Sequence, residues 1–243
     1  MLALMQTEWF KLRKSKISFI ILAGPFIAFL GGLTVDFTEA DAPGVEWYLI
    51  LLATNLAYAL LFLPLISGVL ASTICRYEHQ EGGWKQLLAL PVTRGKVFLS
   101  KYLLLMAIVL VIQLLYLAAL YSVGLIKGVT EPFPLTIIWK SVLGGWVATL
   151  PLVALQLWLS ILFKSYAAPL TVNVVFTLPA VLAINSERFG PYYPWAQPFS
   201  MMYISGDPND LFFVPWEQLL TVVGGSFVIF YLMGWVYFQR KAI

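Results

Sequence analysis

Six long apolar runs, at about 17–33, 48–74, 102–126, 137–163, 167–184 and 219–238, constrain this chain of 243 residues more than any other feature. Each is close to or above the roughly 17 residues that a helix needs to cross about 30 Å of hydrocarbon. Backbone groups in lipid have no water to bond, so they pair within the segment and the runs become helices. The composition agrees: 60% of the residues are hydrophobic, 11% are charged, and the mean hydropathy is +0.85. The expected fold is an all-α integral membrane protein with six transmembrane helices in one domain over residues 1–243.

Basic residues give the expected orientation. With the N-terminus inside, Lys11, Arg13, Lys14, Lys16, Arg76, Lys85, Arg94, Lys96, Lys101, Lys164, Arg240 and Lys241 are cytoplasmic, 12 of the 15. Lys127, Lys140 and Arg188 stay outside, with nine of the 12 acidic residues, Asp36, Glu39, Asp41 and Glu46 among them. By the positive-inside rule both termini face the cytoplasm of a plasma-membrane protein. Ahead of the first run, residues 1–16 place Leu2, Met5, Trp9 and Leu12 on one helical face, as in an amphipathic interfacial helix. A cleaved signal peptide with Ile17 to Leu30 as its core is the rival reading. Its cleavage sequence, Ala40-Asp41-Ala42, lies about ten residues too far downstream.

The interiors of the runs hold almost no ionisable groups, which argues against proton relays, voltage sensors and ion-coupled carriers. What remains is amide and hydroxyl chemistry. Asn55, Gln113, Gln156 and Asn173 are candidates for a substrate path, against the plainer role of bonding helices together. Pro64, Pro151, Pro169 and Pro179 are expected to kink their helices, and the glycine pairs at Gly144 and Gly224 permit close packing. The longest outer connection, 186–217, is unusually aromatic. Its prolines separate Tyr192, Tyr193, Trp195 and Phe199, so it is expected to dip into the outer leaflet as a cap or as an external gate formed by Tyr192, Tyr193 and Trp195.

Several chemistries are excluded. The chain has no Gly-x-x-x-x-Gly-Lys-Ser/Thr loop, so it binds no nucleotide phosphate in that way. One cysteine, Cys75, and one histidine, His79, leave no internal disulfide and no ordinary zinc or other metal site. No catalytic residue is assigned, and a net charge of +3 without a basic patch gives no reason to expect nucleic acid.

Between the second and third runs lies RYEHQEGGWKQLLALPVTRGKVFLSK, from Arg76 to Lys101. Trp84, Leu87 and Leu88 share a helical face, and Pro91 is expected to end the helix at Leu90. The expected element is a cytoplasmic amphipathic helix over 78–90. Thr93 is placed to cap the helix that follows. Arg94 and Lys101 are free, on this reading, to grip headgroups or a partner's acidic residues.

This stretch resembles the segment between spans two and three of type-2 ABC (ATP-binding-cassette) exporter permeases. There, an acidic residue precedes a glycine turn, a Leu-Leu pair, Pro-Val-Ser/Thr-Arg and a downstream lysine. The corresponding residues are Glu78 or Glu81, Gly82-Gly83, Leu87-Leu88, Pro91-Val92-Thr93-Arg94 and Lys101. The resemblance implies a coupling helix that docks an ATPase through Glu78, Glu81, Trp84, Leu87, Leu88, Pro91 and Arg94. It also implies a connecting helix carrying Glu8, Lys11 and Arg13. Trp84-Lys85 replaces the threonine common after the glycine, and Glu78-His79-Gln80 with Trp84-Lys85-Gln86-Leu87-Leu88 resembles the lantibiotic-immunity and bacitracin-resistance subgroup. It further implies a second permease, identical or related, membrane lipid around both, and separate ATPase subunits that bind ATP and Mg. Cargo would be an amphiphilic or lipophilic molecule such as a peptide antibiotic. An ATP-independent carrier or channel, and a non-transporting scaffold or sensor, are the alternatives.

Overall fold

A computed structural model describes residues 2–15, 17–37, 45–80, 82–186, 188–203 and 214–241. Glu81, the Ala40-Asp41-Ala42 sequence and residues 204–213 of the aromatic connection lie outside these. The chain is helical throughout its described elements. α1 (Leu2–Lys14) leads into α2 (Ile17–Leu33), and α3 (Val45–Ala57) continues through a widened π turn, Tyr58–Phe62, into α4 (Leu63–His79). The short α5 (Gly83–Ala89) precedes two long helices, α6 (Arg94–Lys127) and α7 (Leu135–Leu162). Then come α8 (Ala167–Thr177), α9 (Ala180–Ala183), a 3₁₀ turn at Gly190–Tyr192, α10 (Gln197–Met202) and α11 (Trp216–Arg240).

Among the described residues four helices are long and apolar enough to cross a membrane: Val45–His79, Arg94–Lys127, Leu135–Leu162 and Trp216–Arg240. A fifth arises if Leu4–Arg13 and Ile17–Leu33, bent by 77° relative to each other, form one span. The protein is therefore multi-pass. The run expected at 167–184 is apolar but short, and it is broken between α8 and α9 at Leu178 and Pro179. Pro179 has no N–H to give, so the hydrogen-bond ladder of α8 is interrupted there although Leu178 keeps helical dihedrals.

α7 is the central helix, packed against α11, α10, α4 and α6, while α2 lies on α6 and α3. The π turn sits just ahead of Pro64, where the missing N–H interrupts the regular ladder. Asn173 of α8 donates to the Pro64 and Leu65 carbonyls, at 3.1 Å each. Gly68 makes that approach possible, because a Cβ there would lie 2.0 Å from Asn173 Nδ2. At 34 residues α6 is about 51 Å long, so it reaches well beyond the hydrocarbon. Thr93 Oγ1 accepts from the Lys96 N–H at its start.

The helix expected over 78–90 is divided. Glu78 and His79 are the last residues of α4, and α5 begins only at Gly83. Gly82 turns the chain with φ of 75°, and a Cβ on Gly83 would meet the Tyr77 carbonyl at 2.7 Å. The two glycines thus fold α5 back onto the end of α4.

Candidate functional site

Beneath α5 lies an ion cluster drawn from three helices. α1 contributes Glu8 and Lys11, one turn apart on one face, α4 contributes Glu78 from its last turn, and α6 contributes Lys101 from two turns inside its start. Glu8, Glu78 and Lys101 are 1%, 3% and 0% exposed. Lys101 Nζ donates to Glu8 Oε2 at 2.6 Å, to Glu78 Oε1 at 3.0 Å and to the Ile74 carbonyl at 3.0 Å, which uses all three of its protons. Lys11 Nζ bridges the same carboxylates, at 3.0 Å from Glu8 Oε1 and 2.7 Å from Glu78 Oε1. Two carboxylates against two ammonium groups leave no net charge. A buried cluster of this kind is held by mutual compensation, so its loss of one member is far costlier than the net gain from having it.

Trp84 closes the cluster from above. Its ring centroid lies 5.7 Å from Lys101 Nζ, a cation–π contact strengthened by exclusion of water. The indole N–H donates to His79 Nδ1 at 3.3 Å, and His79 Nε2 lies 2.6 Å from the Ser160 carbonyl of α7. A carbonyl only accepts, so Nε2 carries the proton and Nδ1 is free to receive the indole N–H. Trp84 also packs against Phe238 of α11 at 5.2 Å. One side chain of α5 therefore touches groups fixed to α4, α6 and α11, and reaches α7 through His79.

This arrangement corrects two sequence expectations. Trp84 is buried, so it fastens α5 to its own bundle and is not an exposed anchor for a partner. Leu87 and Leu88 are half-buried, with Leu87 against the core; Lys85, Gln86, Ala89, Leu90 and Pro91 face outward. Lys101 is enclosed, and Arg94 is engaged. Arg94 Nη1 donates to the carbonyls of Phe238, Gln239 and Lys241, at 3.2, 3.0 and 2.6 Å, and so caps the C-terminus of α11. Lys241 in turn donates to the Ile161 carbonyl, and burial lowers its ammonium pKa from the ordinary lysine value. Arg94→Ala removes charge-assisted bonds and is expected to cost about 1.5–3 kcal/mol. Amide exchange at the last turn of α11 should rise; unchanged exchange there would remove the capping role.

The amphipathic face read from α1 is also different. Glu8 and Leu12 are buried, while Trp9 and Phe10 are 41% and 62% exposed, and Arg13 is exposed. The face of α1 that meets the bundle is mixed, with Glu8 and Lys11 beside Met5 and Leu12, while Gln6, Thr7 and Arg13 face outward with Trp9 and Phe10.

The four amides in the spans fall into two separate clusters, each buried and bonded. Asn55 donates to the Met202 carbonyl at 3.0 Å and accepts from Tyr116 at 2.6 Å; Tyr58, stacked on Tyr116 at 4.3 Å, donates to Gln113 at 3.0 Å. Gln156 donates to Asn173 at 2.9 Å, and the Trp195 indole donates to the same Oδ1 at 2.8 Å. Every residue of α10 is buried, so the aromatic connection inserts into the bundle. Of the residues assigned to an outer gate, Trp195 is buried, Tyr193 donates to the Phe176 carbonyl at 2.6 Å, and Tyr192 is 62% exposed.

His79, Ser160 and Phe238 were not assigned from sequence. Phe238 and the Ser160 carbonyl carry no local signal at all. Lys101 did carry one, a lysine set in FLSKYLLL with apolar neighbours on both sides, which marks a charge that must find an internal partner.

The sequence that forms this fold and this cluster has a counterpart among known families. The family described as ABC-2 family transporter protein matches residues 4–180. The chain belongs to that family, and is a membrane transporter subunit. It is similar to the bacitracin transport permease protein BCRB of Bacillus licheniformis, with 25% identity over 146 residues, 59% of this chain and 69% of that protein. No solved structure matches. All four ionic members of the cluster, and Trp84, lie within the family match, whereas Phe238 lies beyond it.

Proposed function

We propose that this chain is the transmembrane subunit of an ATP-driven exporter, and that α5 is the helix through which a separate ATPase moves it. The observation that carries the reading is the attachment of α5, through Trp84, to the buried cluster joining α1, α4 and α6. A displacement of α5 by a partner then acts on two long spans and on α1 together, because the charges cannot separate cheaply. ATP and Mg are bound by that partner, since no phosphate-binding loop occurs in this sequence. The charge asymmetry puts α5 and both termini in the cytoplasm. Two permeases, identical or related, would flank the transport path, with lipid around them.

The exposed residues of α5 and the turn after it, Lys85, Gln86, Leu90 and Pro91, form the contact face in this reading, in place of Trp84 and Leu87. The spans' lack of free charge suits an amphiphilic or lipophilic cargo. The similarity to a bacitracin transport permease supports a peptide antibiotic of that kind, moved out of the membrane or the cell.

Co-expression of the full chain with an ABC ATPase subunit from the same source tests both levels. The pair is expected to co-purify, to hydrolyse ATP and to raise the bacitracin concentration that arrests growth. Leu90→Asp with Lys85→Glu should abolish all three while the permease stays folded. Transport that persists without any ATPase would identify a carrier or channel, and a pair that never moves cargo would identify a scaffold or sensor.

A further inference from the structure

A groove of about 600 Å³ opens beside the ion cluster, between α1, the end of α4 and α5. Lys11, Tyr77, Glu78, Gln86, Leu87 and Leu90 line it. Two properties distinguish it from the apolar grooves on the lipid-facing sides. First, Glu78 is 3% exposed, and among the described residues its Oε2 has no hydrogen-bond partner, although Oε1 receives both lysines. An ionised carboxylate has about four acceptor positions, so the enclosed Oε2 is under-satisfied, and a donor entering from the groove that Glu78 lines would complete it once the rim gives way. Second, the groove lies at the C-terminus of α4, whose last carbonyls carry partial negative charge. Both features favour a cation. The rim adds apolar contact for the stem of such a side chain, with Tyr77 39% and Leu90 54% exposed.

We infer that this groove receives a basic side chain of the ATPase subunit, whose charged head donates to Glu78 Oε2 while its stem lies against Tyr77 and Leu90. This rests on the coupling reading above and names the chemistry of its contact. The insertion gives Glu78 two tasks, holding Lys101 and Lys11 through one oxygen and the partner through the other. A partner drawn toward or away from the groove thereby acts on the buried charges directly, and not only through the outer face of α5.

Gln86 gives a test that leaves the cluster itself intact, because it lines the groove and is exposed. The full chain carrying Gln86→Lys or Gln86→Glu is purified in lipid-free detergent, and its affinity for the co-expressed ABC ATPase subunit is measured at low and high salt. Surface changes of this kind barely move stability, so the thermal midpoint of each variant serves as the folding control. Q86K is expected to weaken binding on the order of tenfold and Q86E to strengthen it, with both effects shrinking at high salt. Equal effects of the two variants, or effects of reversed sign, would overturn the inference. So would effects that arise only when amine-headed lipid is added back, because the cation would then be a lipid's. Failure of the wild-type chain to bind any ATPase overturns the coupling reading and this inference with it, whereas binding indifferent to charge at position 86 overturns the inference alone.

Discussion

Lys101→Met is expected to lower the unfolding free energy of the protein by about 3–5 kcal/mol. The substitution preserves most of the side-chain volume, so packing changes little. What it removes is the ammonium that lies 2.6 Å from Glu8 and 3.0 Å from Glu78. Two buried carboxylates then share only Lys11, whose side chain is 31% exposed. Glu8→Gln and Glu78→Gln added to Lys101→Met should recover most of the loss, since a cluster exchanged as a whole is far cheaper than one broken in part. Thermal or detergent-titration unfolding of the purified chain gives the measurement. A single variant within about 1 kcal/mol of wild type would show that the cluster does not hold α1, α4 and α6 together.

Trp84→Ala is the second large effect, at about 3–5 kcal/mol for truncating a buried tryptophan. The loss should be local. α5 has seven residues and would be marginal in isolation, so its order depends on the docking of this one ring. Amide exchange over 83–89 is expected to approach that of an open chain, while α6 and α7 keep their protection. Coupling to an ATPase should fail in the same variant. Trp84→Phe keeps a ring against Phe238 but loses the donor to His79, and is expected to cost about 1 kcal/mol with α5 still docked. Retained protection of α5 in the alanine variant would mean that Leu87 and Leu88 suffice, and that the tryptophan is not the fastener.

Much of the architecture was legible because hydrocarbon is a severe solvent. Runs such as 102–126 and 137–163 had to become helices, and α6 and α7 extend them by only a few turns or residues. The N-cap at Thr93 was legible for a local reason, since its oxygen needs only an N–H three residues on. The Pro179 break followed from covalent geometry within a few residues of chain.

The site was less legible. Periodicity grouped Trp84 with Leu87 and Leu88, and Trp9 with Leu12, but it could not say what each face would meet. Trp84 turned inward because a histidine, a lysine and Phe238 offer its ring and its N–H a matched surface. Trp9 stayed outside because Glu8, beside it in sequence, had Lys101 to reach. The amides Asn55, Gln113, Gln156 and Asn173 were equally ambiguous. Their side chains bond to one another, to tyrosines and to backbone carbonyls that lie far away in the chain.

By itself, then, the sequence determined the class of the molecule and the apolar centres of its long helices, since both follow from transfer of short segments out of water. Tertiary structure alone decided which charges are buried together. Glu8 and Lys101 are 93 residues apart, and Trp84 and Phe238 meet only because α11 returns to the same end of the bundle. Such pairings depend on which helix packs beside which, and the energy that fixes them belongs to the assembled cluster and to no segment of it.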